Sequence, residues 1–379
     1  MPKTQLAPSA RRSGIELLKI GAILLIVISH ITQTMHAPNP DIAYSGYLID
    51  LDSATRSLQT FVLILFRHFG VLGNTVFFIC SAWFLLESDK FNKKKWFFML
   101  SEIWLVSVII LCVSEIIMRK ALPFSIVIKS LFPTTFNNNW YLTCYLLFYP
   151  IHPALNLVIG KMSQKSLFRT ALFSFSIYGL LNFVKYGFFY VTPLVLWVSL
   201  YFVTAYVKKY ITGFSESKKK NILLLILGIS GFVMTSAFLN ILGLKFPAFD
   251  GKMLHTASNG NPFLIMMTFA LFNLCRRLKF KSVPVNYISG LSLLIYIIHD
   301  NLIVRTYLRP YLINLVFERS GYGNKVLFVL LFAGATFLIS LAVAFLYDKT
   351  LRRPFKTVSG KVYELIKSVY LKVESLFIN

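Results

Sequence analysis

Residues 15–30 read IELLKIGAILLIVISH, an apolar run that carries three ionisable side chains, Glu16, Lys19 and His30. Such groups are costly in a bilayer, so their presence in an apolar run is by default a sign of function. In a helix, the eleven positions from Lys19 to His30 make three turns plus roughly 20°, and Glu16 sits one turn before Lys19 on nearly the same face. One stripe therefore holds a carboxylate, an ammonium and an imidazole. A rise of about 1.5 Å per residue places His30 roughly 16 Å deeper than Lys19, about half the hydrocarbon thickness.

Composition extends the membrane reading to the whole chain. Of 379 residues, 56% are hydrophobic and 14% charged, with a mean hydropathy of +0.66, more apolar surface than a soluble core absorbs. The net charge of +24 does not indicate nucleic acid, because the 39 basic residues lie in short clusters between apolar runs. Cys80, Cys112, Cys144 and Cys275 fall inside apolar segments without CxxC spacing and read as lipid- or core-facing residues.

The runs predict an all-α polytopic membrane protein of about ten transmembrane helices, near 14–36, 66–86, 96–118, 140–159, 168–184, 188–207, 221–241, 262–275, 286–304 and 325–347. The eighth is short, as a tilted or re-entrant segment is. With the amino terminus inside, Lys3, Arg11, Arg12 and Lys19, then Lys90 and Lys93 to Lys95, then Lys161, Lys165 and Arg169 fall on the cytoplasmic side. Lys208, Lys209, Lys218 to Lys220, Arg276, Arg277, Lys279, Lys281, Lys349, Arg352, Arg353 and Lys356 follow. That places 24 of the 39 basic residues inside, and both termini are expected to be cytoplasmic.

The outer segments 37–57, with Asp41, Asp50 and Asp52, and 243–262, rich in Gly, Pro and Asn, read as loops. A membrane domain is expected over 11–350 and a cytoplasmic amphipathic tail over 355–379. In the tail Val358, Val362, Leu365, Ile366, Val369, Tyr370, Val373, Leu376 and Phe377 form an apolar stripe suited to the membrane interface. The first span has a basic flank, but Glu16 and Lys19 interrupt its start, so it is expected to stay rather than be cleaved as a signal peptide.

Four stretches combine into a pattern: Lys19 followed eleven positions on by His30; FGVLGNTVFFICSAWFLL at 69–86; NNWYLTCYLLFYPIHPALN at 138–156; and SGLSLLIYIIHDN at 289–301. In order and spacing they resemble the integral-membrane acyltransferase family 3, whose members O-acylate cell-surface polysaccharides, peptidoglycan or lipid-linked glycans. The resemblance runs from about residue 11 to 350 and is nearest the stand-alone type without an SGNH esterase-like domain. Lys19 stands where the family more often has Arg, and Ala82 with Trp83 where a Gly and an aromatic are usual. Asn74 matches a family Asp or Asn only with a three-residue offset.

The resemblance implies a multi-pass protein of the cell (inner) membrane that takes an acetyl group from cytoplasmic acetyl-CoA, or another acyl-CoA, as co-substrate. The acceptor would be a hydroxyl of a surface glycan or its lipid-linked precursor; no permanently bound cofactor and no nucleic acid enter this reading. A sugar hydroxyl attacks a thioester poorly unless a base takes its proton, and imidazole, with an ordinary pKa of about 6.5, suits that task. His30 is the expected base or acyl acceptor. Lys19 and the inner cluster Lys93, Lys94 and Lys95 would hold the donor phosphates, with Glu16 as counter-ion to Lys19. The imidazole needs a partner on its other nitrogen. Thr32, Gln33, Thr34 and His36 are local candidates, whereas Asn74, His299 and Asp300 require folding to reach it.

Several of these residues also have simpler roles. Lys19 is near enough to the surface to snorkel as an anchor. Trp140 and Tyr141 suit either an aromatic belt or a sugar-stacking platform. Ser81 and Asn74 suit substrate contact or an interhelical hydrogen bond. His299 and Asp300 suit a substrate contact or a polar helix end, and Lys93 to Lys95 also set topology. His68, His152 and His255 lack ligand spacing, and no Walker loop, HExxH or GxSxG occurs. A secondary transporter or polysaccharide exporter is the main rival, but no internal repeat or pair of matched Gly/Pro-broken helices supports it. A second rival is a membrane sensor that binds without turnover.

Overall fold

The fold is known from a computed structural model that describes residues 13–36, 49–118, 121–184, 192–320 and 323–377. Lys3, Arg11, Arg12 and Asp41, used in the charge and loop readings, lie outside these residues, as do 37–48, 188–191 and the last two positions of the tail.

The described residues are mostly helical, with no strand among them. They are α1 (Ser13–His36), α2 (Leu58–Arg67), α3 (Phe69–Leu85), α4 (Lys93–Met118), α5 (Phe124–Leu131), α6 (Trp140–Lys161), α7 (Gln164–Phe175) and α8 (Asn182–Val184). Then come α9 (Pro193–Tyr210), α10 (Thr212–Ser215), α11 (Lys218–Lys245), α12 (Pro262–Arg276), α13 (Val283–Gly290) and α14 (Ser292–His299). Last are α15 (Arg309–Ser320), α16 (Lys325–Thr350) and α17 (Arg352–Phe377).

Six segments among the described residues are long and apolar enough to cross a bilayer: α1, α2 with α3, the Lys93–Ile117 part of α4, α6, α11 and α16. The chain is thus an all-α polytopic membrane protein, but four of the ten expected spans are shorter or interrupted. The 168–184 run is broken by a π-turn, Ser176–Leu181, that brings Gly179 against Gly260; a Cβ on Gly260 would lie 2.6 Å from the Gly179 carbonyl oxygen. The 188–207 run becomes α9, whose start is set by Pro193 at its first turn. In 262–275, Asn261 caps a 15-residue helix. The 286–304 run splits into α13 and α14 and ends at His299. The 66–86 span instead begins earlier, at Leu58, and is broken at His68, whose Nδ1 bonds the Ile64 carbonyl at 2.5 Å.

The opening helix lies at the centre, where α1 packs against α2, α3 and each of α12 to α16. Of its most apolar stretch, 61% is buried in protein, against 17% in α11 and 22% in α16, which face outward. Its ionisable stripe is therefore sheltered by neighbouring helices rather than by lipid, the condition under which such groups persist in membranes. Close approach of α3 to α1 depends on glycine. A Cβ at Gly70 would sit 2.7 Å from Ser29 Oγ, and one at Gly73 2.5 Å from the Ala22 carbonyl oxygen.

Contacts fix which helix ends lie together. At one end, Gly14 of α1 meets the Cys275 carbonyl of α12, and Ser13 Oγ donates to Asn286 Oδ1 of α13 at 2.8 Å. At the other end Arg67 and His36 both bind Asp52, at 2.8 Å each. The tail helix α17 continues almost directly from α16 and is anchored by Arg352, which pairs with the buried Glu102 of α4 at 2.9 Å and with Asp348 at 3.0 Å.

Candidate active site

His30 projects from α1 toward the point where α14 stops. The sequence HDN at 299–301 makes that stop: Asp300 leaves helical geometry, and Asn301 Oδ1 accepts the Ile303 amide at 3.0 Å, capping the turn that follows. A π-turn, Val304–Leu308, then leads into α15. The interruption places His299 and Asp300 at one helix end, both buried and both directed at His30.

The hydrogen bonds determine the protonation pattern. His299 Nδ1 lies 2.7 Å from the Ile295 carbonyl, which only accepts, so Nδ1 carries the proton and Nε2 is left as an acceptor. His30 Nδ1 is 3.1 Å from that Nε2 and 3.3 Å from Asp300 Oδ1. Two acceptors therefore face His30 Nδ1, which must be its N–H. In neutral His30 the lone pair then sits on Nε2, which has no hydrogen bond among the described residues. The side chain is 13% exposed, and its Nδ1 edge is held by His299 and Asp300.

Around this pair the polar groups interlock. Arg309 Nη1 donates to Thr34 Oγ1 at 3.2 Å and to the His30 carbonyl at 3.4 Å; its Nη2 donates to the His299 carbonyl and reaches Asp300 Oδ1 at 3.4 Å. Arg305 donates to the Asn138 carbonyl at 2.8 Å and lies 3.8 Å from Asp300 Oδ2. Asn139 Nδ2 donates to the Asp300 carbonyl at 3.3 Å. The fully formed charges are one carboxylate and two guanidiniums, a net positive site. Tyr296, whose ring is 6.3 Å from that of His30, and Arg309 Nε are buried without a hydrogen-bond partner.

Folding therefore brings His30, His299 and Asp300 together, and with them the start of α6. Tyr141 is buried, its ring 6.1 Å from Tyr296 and 4.8 Å from Trp197, while Trp140 is half-buried beside it at 5.8 Å. Asn74 is buried on α3 next to Gly73, level with the middle of α1, and its Oδ1 has no partner. Ser81 bonds the Tyr145 hydroxyl between helices. Glu16 and Lys19 form an ion pair of 2.7 Å at the opposite end of α1, and Ser289 donates to Glu16 at 2.5 Å. Lys93, Lys94 and Lys95 stand apart from both groups, at the start of α4 beside the tail helix.

None of the local candidates orients the imidazole. Thr32 bonds the Ile28 carbonyl, Gln33 bonds Ser29, Thr34 bonds the His30 backbone, and His36 bonds Asp52. Arg305, Arg309 and Tyr296 belong to the cluster and were not singled out from sequence. Two arginines in VRTYLR, immediately after HDN, were the available signal. Lys208 and Arg276 form a further cationic feature, lying 5.1 and 5.0 Å from the centre of the Trp83 ring.

A family model described as an acyltransferase domain matches residues 12–345. No curated protein and no solved structure matches the chain. The chain belongs to this acyltransferase family.

Proposed function

We propose that this member of the acyltransferase family transfers an acetyl group from cytoplasmic acetyl-CoA to a hydroxyl of an extracytoplasmic glycan or its lipid-linked precursor, with His30 as the base. Membership makes the chain a membrane acyltransferase. The donor, the acceptor and the role of His30 are our reading, and the observation that carries it is the imidazole whose Nδ1–H is held by His299 and Asp300 while Nε2 is left free.

In this reading His30 Nε2 takes the proton of the sugar hydroxyl as its oxygen bonds to the thioester carbonyl carbon. Asp300, 3.3 Å from Nδ1, stabilises the imidazolium that results. The negative charge on the carbonyl oxygen is favoured by the net positive cluster, in which Arg309 Nε and the Tyr296 hydroxyl are uncommitted donors. Collapse of the intermediate breaks the carbon–sulfur bond, and the imidazolium returns its proton to the leaving thiolate.

The charge bias puts the amino end of α1 inside. On that side Lys19, Lys208 and Arg276 offer positive charge to the donor's phosphates, about 16 Å from His30 by helix rise. A long thioester-bearing arm spans that gap. The test is mass spectrometry of surface glycans from cells with and without the gene. Loss of acetyl groups without the gene is expected; an unchanged acyl content overturns the reading.

A further inference from the structure

A cavity of about 250 Å³ separates the start of α4 from α17, outside the segment the family model covers on its tail-helix side. Asn92, Lys94, Lys95, Lys356, Ser359 and Tyr363 line it. Three of these six side chains are cationic. Two carboxylates are near them: Glu364, 3.6 Å from Lys94 on the exposed side, and Glu102, which is near Lys356 but committed to Arg352 at 2.9 Å. Lys356 Nζ lies 5.8 Å from the centre of the Phe98 ring and Lys95 Nζ 5.9 Å from that of Tyr149, so both ammonium groups sit over aromatic faces. Asn92 Oδ1 accepts the Lys95 amide at 2.9 Å and orders the first turn of α4.

Ser359 gives the cavity its polar wall. It is 4% exposed, and its hydroxyl is buried without a partner, although a helical serine ordinarily has a carbonyl four residues back to bond. A buried hydroxyl without a partner is positioned to donate to an entering acceptor, and three neighbouring lysines favour one with negative charge. Phosphate oxygens meet both needs.

We propose that this cavity binds the phosphate group of an anionic phospholipid, and so fixes the tail helix to the inner membrane surface. The occupant is inferred from α17 itself, which leaves Val358, Val362, Leu365, Val369 and Val373 exposed along one stripe. An apolar stripe beside a basic cavity suits a helix lying among headgroups. The proposal rests on the inside placement of α17 that the charge bias implies, and not on the acyl-transfer chemistry.

The test is native mass spectrometry of the full-length protein released from nanodiscs containing phosphatidylglycerol. Lys356→Gln is expected to lower retained phosphatidylglycerol about fivefold. Ser359→Val is expected to lower it without a change of charge, and Lys356→Arg to preserve it. Lys361→Gln, an exposed lysine of the same helix outside the cavity, is expected to have little effect; a loss equal to that of Lys356→Gln shows diffuse attraction and overturns the site. Full lipid retention in Lys356→Gln and Ser359→Val also overturns it. If those variants instead lose binding of coenzyme A added to the same samples, the phosphate belongs to the acyl donor and the lipid assignment fails. None of these outcomes depends on acyl transfer, so the site and the catalytic reading fail separately.

Discussion

His30 and His299 meet ring to ring, Nδ1 to Nε2 at 3.1 Å, across 269 positions of the chain. The ring centroids are 5.2 Å apart and the planes are inclined by 29°, so the rings meet edge to edge. Because His299 Nδ1 is committed to a backbone carbonyl, the pair has one polarity, with His30 as donor.

That polarity separates the two residues experimentally. Asp300→Asn, which removes the carboxylate facing the imidazolium, is expected to lower kcat by about 10²–10⁴ with little change in KM. His299→Gln, which retains an acceptor, is expected to keep more activity than His299→Leu. Kinetics in reconstituted vesicles check both, and a fully active Asp300→Asn contradicts the orienting role.

Arg309 holds the cluster as a fork. It is 5% exposed, and its two Nη groups reach two carbonyls, Thr34 and Asp300. Arg309→Ala leaves Asp300 buried with only the more distant Arg305, and a loss of about 3–5 kcal/mol of stability is expected. Arg309→Lys is expected to recover little, because an ammonium lacks the planar fork. Thermal unfolding in detergent reads the difference.

Gly73→Ala tests the contact that sets α3 against α1. The added Cβ meets a backbone oxygen at 2.5 Å, which cannot swing away, so a cost of about 1–3 kcal/mol is expected. Gly21→Ala on α1, where no atom lies within 4 Å, is the control and is expected to be neutral or slightly stabilising. Equal melting temperatures for the two variants contradict the close packing.

In the segment leading into α2, Asp52 is pulled two ways. Partial burial raises its pKa, but hydrogen bonds from Arg67 and His36 outweigh it and hold the carboxyl below its ordinary 3.8. Neighbouring Asp50 is held low as well, by hydrogen bonds from Ser53 and the Asp52 amide. A depressed pKa means stabilisation that is complete above 3.8 and lost as pH falls through the lower folded value. Hydrogen exchange at the Asp52 amide, which donates to Asp50 Oδ1 at 2.9 Å, reports the carboxylate directly. Its protection, corrected for intrinsic rate, is expected to hold at pH 5 and fall below pH 3.8 in the wild type, and to be low already at pH 5 in Asp50→Ala.

The legible part of the fold was what one helix says about itself. Residues 13–36 form α1, and the Glu16–Lys19 pair follows from a spacing of three. His30 was recognisable as a costly side chain, and HDN as a motif. Their meeting was not readable, because helix–helix contact over such a separation depends on packing that no local pattern encodes. The short spans illustrate the same limit: Gly179 reads as an ordinary helical glycine until Gly260 is seen against it. Arg305 and Arg309 carry no local signal of a role beyond their place after HDN, whereas the π-turn that holds Arg305 and leads into Arg309 brings both to Asp300.

The central claim is that His30 Nε2 accepts the proton of the acceptor hydroxyl, and the acyl content of the surface glycan in cells carrying His30→Ala tests it most directly. At wild-type abundance of the variant in the membrane, acylation is expected to fall to the level of cells without the gene; acylation at the wild-type level contradicts the claim.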